Sequence, residues 1–331
     1  MSVHTRHDEP VRRTFSWHRR IGFGECDPAR VIYAPRAFDY AVEAVEAWWR
    51  GVLGGSWSDL EARRRLEARV VRVRCEYLRP LVAGQVLHLA VSTVAVGTSE
   101  FTLRVVGEPA PGEPGFRAHV VMSFADRVQL RPVPIPPEYR ASIEACRASG
   151  DASSDAAGGD RLSPRSAASP RTRHADMPVS GSGAGPRPPP FVRAHRVNCG
   201  ECEASGNAYA PRMIERAVET IGEWYEAVVG ISWFEQCLRG RGTPFVDIRC
   251  DDLERIVAGQ EITMAVTIPR LGTASIEYAV DGYAAGGVPC FRAHMIACHI
   301  SEESGRPTAA PFPGSLRERI VEYQRRSGGA A

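Results

Sequence analysis

The 331-residue chain contains no lysine: all 41 of its basic residues are arginine. Lysine chemistry, a Schiff base above all, is thereby excluded. The chain also lacks a charge excess. Its 41 basic and 39 acidic residues leave a formal net charge of +2, which gives no global attraction to nucleic acid or to an anionic membrane surface. No apolar run approaches the ~18 residues that a membrane-crossing helix needs. Met1 to Trp17 carries charge without the apolar centre of a signal peptide. These absences predict a soluble, cytoplasmic protein with neither a nucleic-acid nor a membrane partner. The nine cysteines are odd in number and scattered, often within apolar runs. In a reducing compartment they read as buried free thiols. Cys199-x-x-Cys202 stands without a second pair, so no metal and no cofactor are expected.

What is present is a repeat. Gly24-Glu25-Cys26-Asp27 recurs as Gly200-Glu201-Cys202-Glu203, Tyr33-Ala34-Pro35-Arg36 as Tyr209-Ala210-Pro211-Arg212, and Ser56-Trp57 as Ser232-Trp233, all 176 residues on. One residue is then lost. Val82-Ala83-Gly84-Gln85 matches Val257-Ala258-Gly259-Gln260, and Phe116-Arg117-Ala118-His119 matches Phe291-Arg292-Ala293-His294, at 175. Collinear matches over such a span mean one domain duplicated. The copies are expected at 14–146 and 191–325. Residues 147–190 between them are rich in Ser, Gly, Ala, Pro and Arg and poor in large apolar residues. Such a segment cannot bury enough surface to offset its ordering entropy, so it reads as a flexible linker.

Each copy has the same coarse layout. An alternating stretch (14–23; 192–197) reads as a strand. A loop follows, then Pro35 or Pro211 at a helix start. Helical spacing puts Phe38, Ala41, Val42, Val45, Trp48, Trp49 and Val52 on one face, and in the second copy Ile214, Ala217, Val218, Ile221, Trp224, Tyr225 and Val228. Strand-like runs follow at 70–77, 86–96, 101–106 and 116–124. One helix followed by antiparallel strands implies an α+β layer. His119 and His294 lie on a strand in an apolar run, where core histidines are the default reading.

Arg20-Ile21-Gly22-Phe23-Gly24-Glu25-Cys26-Asp27-Pro28-Ala29 followed by Tyr33-Ala34-Pro35 resembles the signature of the 4-hydroxybenzoyl-CoA thioesterase family of hotdog folds. Glu76-Tyr77-Leu78-Arg79-Pro80 with Gly84-Gln85-Val86, and Ile135-Pro136-Pro137-Glu138-Tyr139, resemble its later segments. The resemblance implies a hotdog, a long central helix wrapped by a curved antiparallel sheet, here as a tandem double hotdog. Family members pair two hotdogs with sites at the interface, so the chain is expected to form an internal pseudo-dimer; a further homodimer remains open.

The resemblance also implies acyl-thioester hydrolysis, with Asp27 as nucleophile or general base and the pre-proline amide as oxyanion donor. The physical basis is independent of it. Hydrolysis needs a carboxylate beside the carbonyl and N–H donors for the developing oxyanion, and a helix start offers unpaired amides. The amides near Tyr33 and Ala34, and near Tyr209 and Ala210, are the candidates. The second copy has Glu203 in place of Asp. Its extra methylene moves the oxygens by about 1 Å, which costs on the order of 100-fold if uncorrected. The halves are thus expected to be unequal, with Asp27 the key carboxylate. Arg30 stands where the family has glycine and is a candidate for substrate contact; the second copy keeps Gly206. Trp57 is a candidate lining of an acyl pocket. Glu43 and Glu219 occupy equivalent helix positions that another hotdog branch uses for its carboxylate.

The expected substrate is an acyl-CoA or an acyl carrier protein, with a polyketide or aromatic acyl intermediate of a biosynthetic route as a candidate. A dehydratase-like activity would need a histidine on the central helix, and 35–52 and 211–229 contain none. The remaining alternative is a catalytically inactive module that binds an acyl chain or a carrier protein.

Overall fold

The computed structural model describes residues 14–57, 59, 66–129, 131–147, 190–251, 253–302 and 306–327. Apart from its two end residues, the expected linker at 147–190 lies outside them. The first repeat contains β1 (Phe15–Arg20), α1 (Arg36–Trp48), β2 (Leu66–Tyr77), β3 (Val86–Val96), β4 (Glu100–Glu108), β5 (Phe116–Asp126) and α2 (Pro137–Ala145). The second contains β6 (Phe191–Arg196), α3 (Ala210–Trp224), α4 (Trp233–Leu238), β7 (Arg241–Gly242), β8 (Phe245–Asp251), β9 (Glu261–Leu271), β10 (Ser275–Ala284), β11 (Val288–Cys298), two short strands β12 (Ile300–Ser301) and β13 (Thr308–Ala309), and α5 (Gly314–Ser327).

The long strands form one antiparallel ten-stranded sheet in the order β1-β3-β4-β5-β2-β8-β11-β10-β9-β6. Its second half is its first half reversed, strand for strand. The seam is the β2–β8 ladder, where Val73 faces Cys250, Arg74 faces Arg249 and Cys75 faces Ile248. Arg74 and Arg249 are equivalents in the repeat, and the flanking pairs exchange equivalents. This is the self-complementary contact of a two-fold dimer, here inside one chain. The architecture is α+β, a double hotdog: each half wraps its own central helix in half of a shared sheet.

The apolar face read from the sequence packs α1 against that sheet. Phe38, Ala41, Val42, Val45, Trp48 and Trp49 are all buried. In α3 the same holds for Ile214, Ala217, Val218, Ile221, Trp224 and Tyr225. Each helix ends in a widened π turn, Trp49–Leu53 and Tyr225–Val229. The wider turn advances the buried face, so Val229 is buried where Val228 was expected. The closing helices α2 and α5 seal the aromatic ends. Tyr139 stacks on Phe124 at 5.8 Å, and Tyr323 meets Trp224 edge-on at 5.4 Å.

A duplicated close contact explains one repeated motif. Phe116 lies across from Gly107, and Phe291 across from Gly282. A Cβ at either glycine would fall 2.4 or 2.3 Å from the ring. The phenylalanine of each Phe-Arg-Ala-His motif therefore covers a glycine in the neighbouring strand. The histidines of that motif are not core residues, as the sequence suggested. His119 is half-buried and His294 exposed, while their neighbours Ala118, Ala293 and Met295 are buried. Strand alternation turns them to the face away from the helices, opposite Arg74 and Arg249. The described cysteines are free, but only Cys75, Cys146, Cys250 and Cys290 are buried; Cys199 is exposed.

The two central helices meet at the pseudo-two-fold through four charges. Arg36 reaches Asp39 at 2.9 Å and, across the seam, Glu215 at 2.7 Å. Arg212 reaches Glu215 at 2.5 Å and crosses back to Asp39 at 3.3 Å. Asp39 and Glu215 are equivalents, as are Arg36 and Arg212, so the quartet repeats the symmetry of the sheet seam. Burial nevertheless pushes the Asp39 carboxyl above its ordinary range, against the pull of Arg212 and Arg36.

Candidate active site

The two catalytic-loop candidates share one backbone design. In the first, the Asp27 N–H donates to the Val31 carbonyl and the Arg30 N–H to the Asp27 carbonyl, both at 2.9 Å. In the second, Glu203 and Gly206 repeat these bonds to Asn207 and Glu203, at 2.8 and 2.9 Å. The turn needs a left-handed residue, and Gly206 supplies it with φ 85°. Arg30 adopts φ 65° at the same position, which costs a side-chain-bearing residue about 1 kcal/mol. Arg30 is exposed.

Two stability outcomes are expected from this turn. Gly206→Ala should lose about 1 kcal/mol. Arg30→Gly should gain a fraction of that, because added chain entropy in the unfolded state offsets part of the relief. Denaturant titration of both variants checks this. A loss on Arg30→Gly would show the arginine to be held by a contact worth more than the strain.

The loop leads into the helix start. The Tyr33 N–H donates to the Glu25 carbonyl at 2.9 Å, and the Tyr209 N–H to the Glu201 carbonyl at 2.8 Å. These two amides are therefore engaged within the loop, whereas the sequence reading offers amides at both positions as free donors. The Ala34 and Ala210 N–H groups have no acceptor among the described residues. Each precedes a proline that has no N–H of its own. The tyrosines contribute side chains instead. Burial, then the charges of Glu219 and Glu215 on α3, drive the Tyr33 hydroxyl's pKa upward. For Tyr209 the causes are burial, then Glu46, Asp39 and Glu43 on α1. Each loop tyrosine thus faces the opposite half's central helix.

A small cleft, open to solvent, lies at the second loop. Glu203, Tyr209 and Ala210 line it from the second half, and Val42, Trp57 and Arg69 from the first. Trp57 therefore does line a pocket, but one built on the other half's loop; its ring also packs edge-on against Trp49 at 5.9 Å. Its equivalent Trp233 packs edge-on against Phe245 at 6.0 Å. Glu43 pairs with Arg19 at 2.8 Å, and Glu219 pairs with Arg216, so both helix carboxylates are in ion pairs.

The carboxylates differ in their settings. Asp27 is half-buried, and its Oδ1 accepts from the Ala29 N–H at 2.9 Å. Burial raises its pKa, opposed by the N–H groups of Ala29 and Val31. Glu203 accepts from the Ser205 hydroxyl at 2.8 Å. Behind it lie residues that the sequence reading passed over: Ser205, Asn207 and Arg255, and Glu67 from β2 of the first half. Their signal was available as departures within the repeat, Ser205 for Ala29 and Asn207 for Val31.

Each loop is anchored by the glutamate of the repeated Gly-Glu-Cys. Glu201 is buried, which would raise its pKa, yet the Asn198 N–H, Arg216 and His195 hold it down at about 2. Its stabilising effect is therefore present above the ordinary glutamate value of 4.5 and is lost as pH falls toward about 2. Glu201→Gln should be less stable than the native chain at neutral pH, and the gap should close between those two values. A gap constant down to acid pH, measured by thermal melting, would contradict the assignment.

The model of the thioesterase-like superfamily matches residues 21–143, which span the first loop, its helix and its strands. An uncharacterized protein of Bacillus subtilis, YsmA, is 43% identical over 53 residues, 16% of this chain and 36% of that protein. The match thus spans about a third of that relative's length. Among solved structures, the 12:0-ACP thioesterase from Umbellularia californica superposes with a TM-score of 0.66 at 14% identity, covering 89% of this chain and 95% of its own. An acyl-ACP thioesterase from Bacteroides thetaiotaomicron does so with a TM-score of 0.60 at 9% identity, covering 86% and 98%. At such identities the likeness is one of fold. The superfamily match is thus confined to residues 21–143, and the described chain as a whole shares its fold with these solved structures.

Proposed function

We propose that this chain hydrolyses acyl thioesters in clefts between its two halves. The observation that supports this best is the joint placement of Glu203 and Ala210 in one cleft walled by the opposite half. Asp27 and Ala34 hold the equivalent positions in the first repeat. The thioester carbonyl oxygen would accept from the free Ala34 or Ala210 N–H, whose position at a helix start favours negative charge. The ionised carboxylate would either take a proton from a water that adds to the acyl carbon, or add to that carbon itself to give an anhydride that water then opens; in both cases the C–S bond breaks and the sulfur leaves as the thiolate, which takes up a proton to become the free thiol. The pKa of Asp27, raised by burial, makes its carboxylate a stronger base than that of a solvated aspartate. No residue in this scheme needs a metal or an organic cofactor.

The acyl carrier is proposed to be coenzyme A or an acyl carrier protein. The superfamily match and the named activities of the structural neighbours support that class. The test is a panel of acyl-CoA and acyl-carrier-protein thioesters, from short aliphatic to aromatic and polyketide-like, assayed for released thiol. Turnover on any of them supports the reading. Tight binding without turnover across the panel would replace it with an acyl-binding module.

A further inference from the structure

Substituting glutamate for aspartate lengthens the side chain in the second loop and, uncorrected, misplaces its oxygens. The structure contains a correction. The Ser205 hydroxyl donates to Glu203 Oε1 at 2.8 Å. Ser205 Oγ in turn accepts from Asn207 Nδ2 at 2.8 Å. The same Nδ2 donates to Glu67 Oε1 at 2.5 Å, and Asn207 Oδ1 accepts from Arg255 Nε at 2.6 Å. Asn207 and Glu67 are 6% and 3% exposed, so the relay is sealed from water at its far end. Every atom of the Asn207 amide that bonds is used, which leaves its orientation no freedom.

None of these positions carries the same residue in the first loop. Ala29 stands for Ser205, Val31 for Asn207, Gly242 for Glu67 and Pro80 for Arg255. The network is therefore particular to the second loop and arises together with its longer carboxylate. Its outer anchor, Glu67, comes from β2 of the other half and crosses the pseudo-dimer seam to reach it.

We infer that the second cleft is a rebuilt working site, in which Ser205, Asn207 and Glu67 are positioning residues that set the Glu203 carboxylate against the acyl carbon. This rests on the proposed hydrolysis. A side chain held by a hydrogen bond at its tip and a locked amide behind it meets the geometric demand that the extra methylene would otherwise violate. The relay moves no proton and breaks no bond; it fixes an orientation.

The experiment uses the full chain carrying Asp27→Asn, so that remaining turnover on the best panel substrate reports the Glu203 cleft. In that background Ser205→Ala and Asn207→Val, which restore the residue types of the first loop, should each lower kcat by about 10- to 100-fold. For Ser205→Ala KM should stay within about twofold, since Ser205 is not among the residues lining the cleft. Ser205→Thr keeps the hydroxyl and should recover most of the rate. Melting temperatures of the variants separate this from unfolding. The inference is overturned if Asp27→Asn alone removes all turnover that the native chain shows, a result that leaves the hydrolase reading standing. It is also overturned if Ser205→Ala leaves kcat unchanged, or if kcat falls only in step with stability. A native chain inactive on the whole panel defeats the hydrolase reading and this inference with it.

Discussion

A chain carrying both Asp27→Asn and Glu203→Gln should hydrolyse its best thioester at least about 100-fold more slowly than the native protein, since loss of a base or nucleophile removes that much or more. Both changes are nearly isosteric, and the Asp27 Oδ1 position still accepts from the Ala29 N–H after amidation. Melting should therefore shift little. The single variants divide the loss. The shorter Asp27, whose loop lies within the stretch that the superfamily model matches, is expected to carry part of the turnover, and the Ser205-held Glu203 the rest. Initial rates of released thiol for the native chain, both singles and the double decide the matter. If the double variant keeps native turnover, neither carboxylate takes part and the assignment of the two loops as the catalytic machinery fails. If one single variant equals the double, only one cleft works.

The second large effect concerns the charge quartet between the central helices. Removing both cations, Arg36→Ala with Arg212→Ala, leaves Asp39 and Glu215 facing one another without counter-charge. Breaking a fully buried pair costs about 3–5 kcal/mol. These arginines are 23% and 30% exposed on their side chains, so screening reduces the expected loss to about 2–3 kcal/mol. That corresponds to roughly 5 °C in Tm for a chain of this size. The pH dependence carries a definite sign. Two opposed carboxylates without cations have raised pKa values in the folded state, and Asp39 is already raised by burial. A raised folded pKa means that protonation favours the fold, so the deficit should shrink as pH falls into the carboxylate range. Melting the double variant from neutral pH down to about pH 4 tests this. A deficit independent of pH would mean that the arginines act through packing of their aliphatic stems instead.

Much of this architecture could be read directly from residues. The two helix faces were legible because a buried helix repeats apolar residues at 3.6-residue spacing, and the burial of Phe38 to Trp49 and of Ile214 to Tyr225 follows that spacing. The π turns were not legible: they depend on packing against the closing helices, and no residue type marks them. The His119 and His294 assignment failed because the runs around them are apolar at alternate positions, while the interleaved polar residues face outward. The loop carboxylates and the helix start stood out through repetition. Which amide stays free did not, since the Glu25 and Glu201 carbonyls reach Tyr33 and Tyr209 only through the folded turn. The Glu203 relay was half legible. Ser205 and Asn207 were visible as departures from the first loop, but Glu67 lies 140 residues away from Asn207 in the sequence, in a segment where nothing in the local pattern sets it apart.

The way Glu67 crosses the seam has a consequence for ancestry and for dissection of the chain. A homodimer built from two first halves on the same axis would set each Glu67 against Val31, whose side chain has no donor to offer. A homodimer built from two second halves would lose the carboxylate altogether, because Gly242 stands in its place. The Glu67–Asn207 bond can therefore form only between unlike halves. The sheet seam, by contrast, keeps its two-fold pattern, with Arg74 opposite Arg249, so the departure from symmetry is local to the second loop and its anchor.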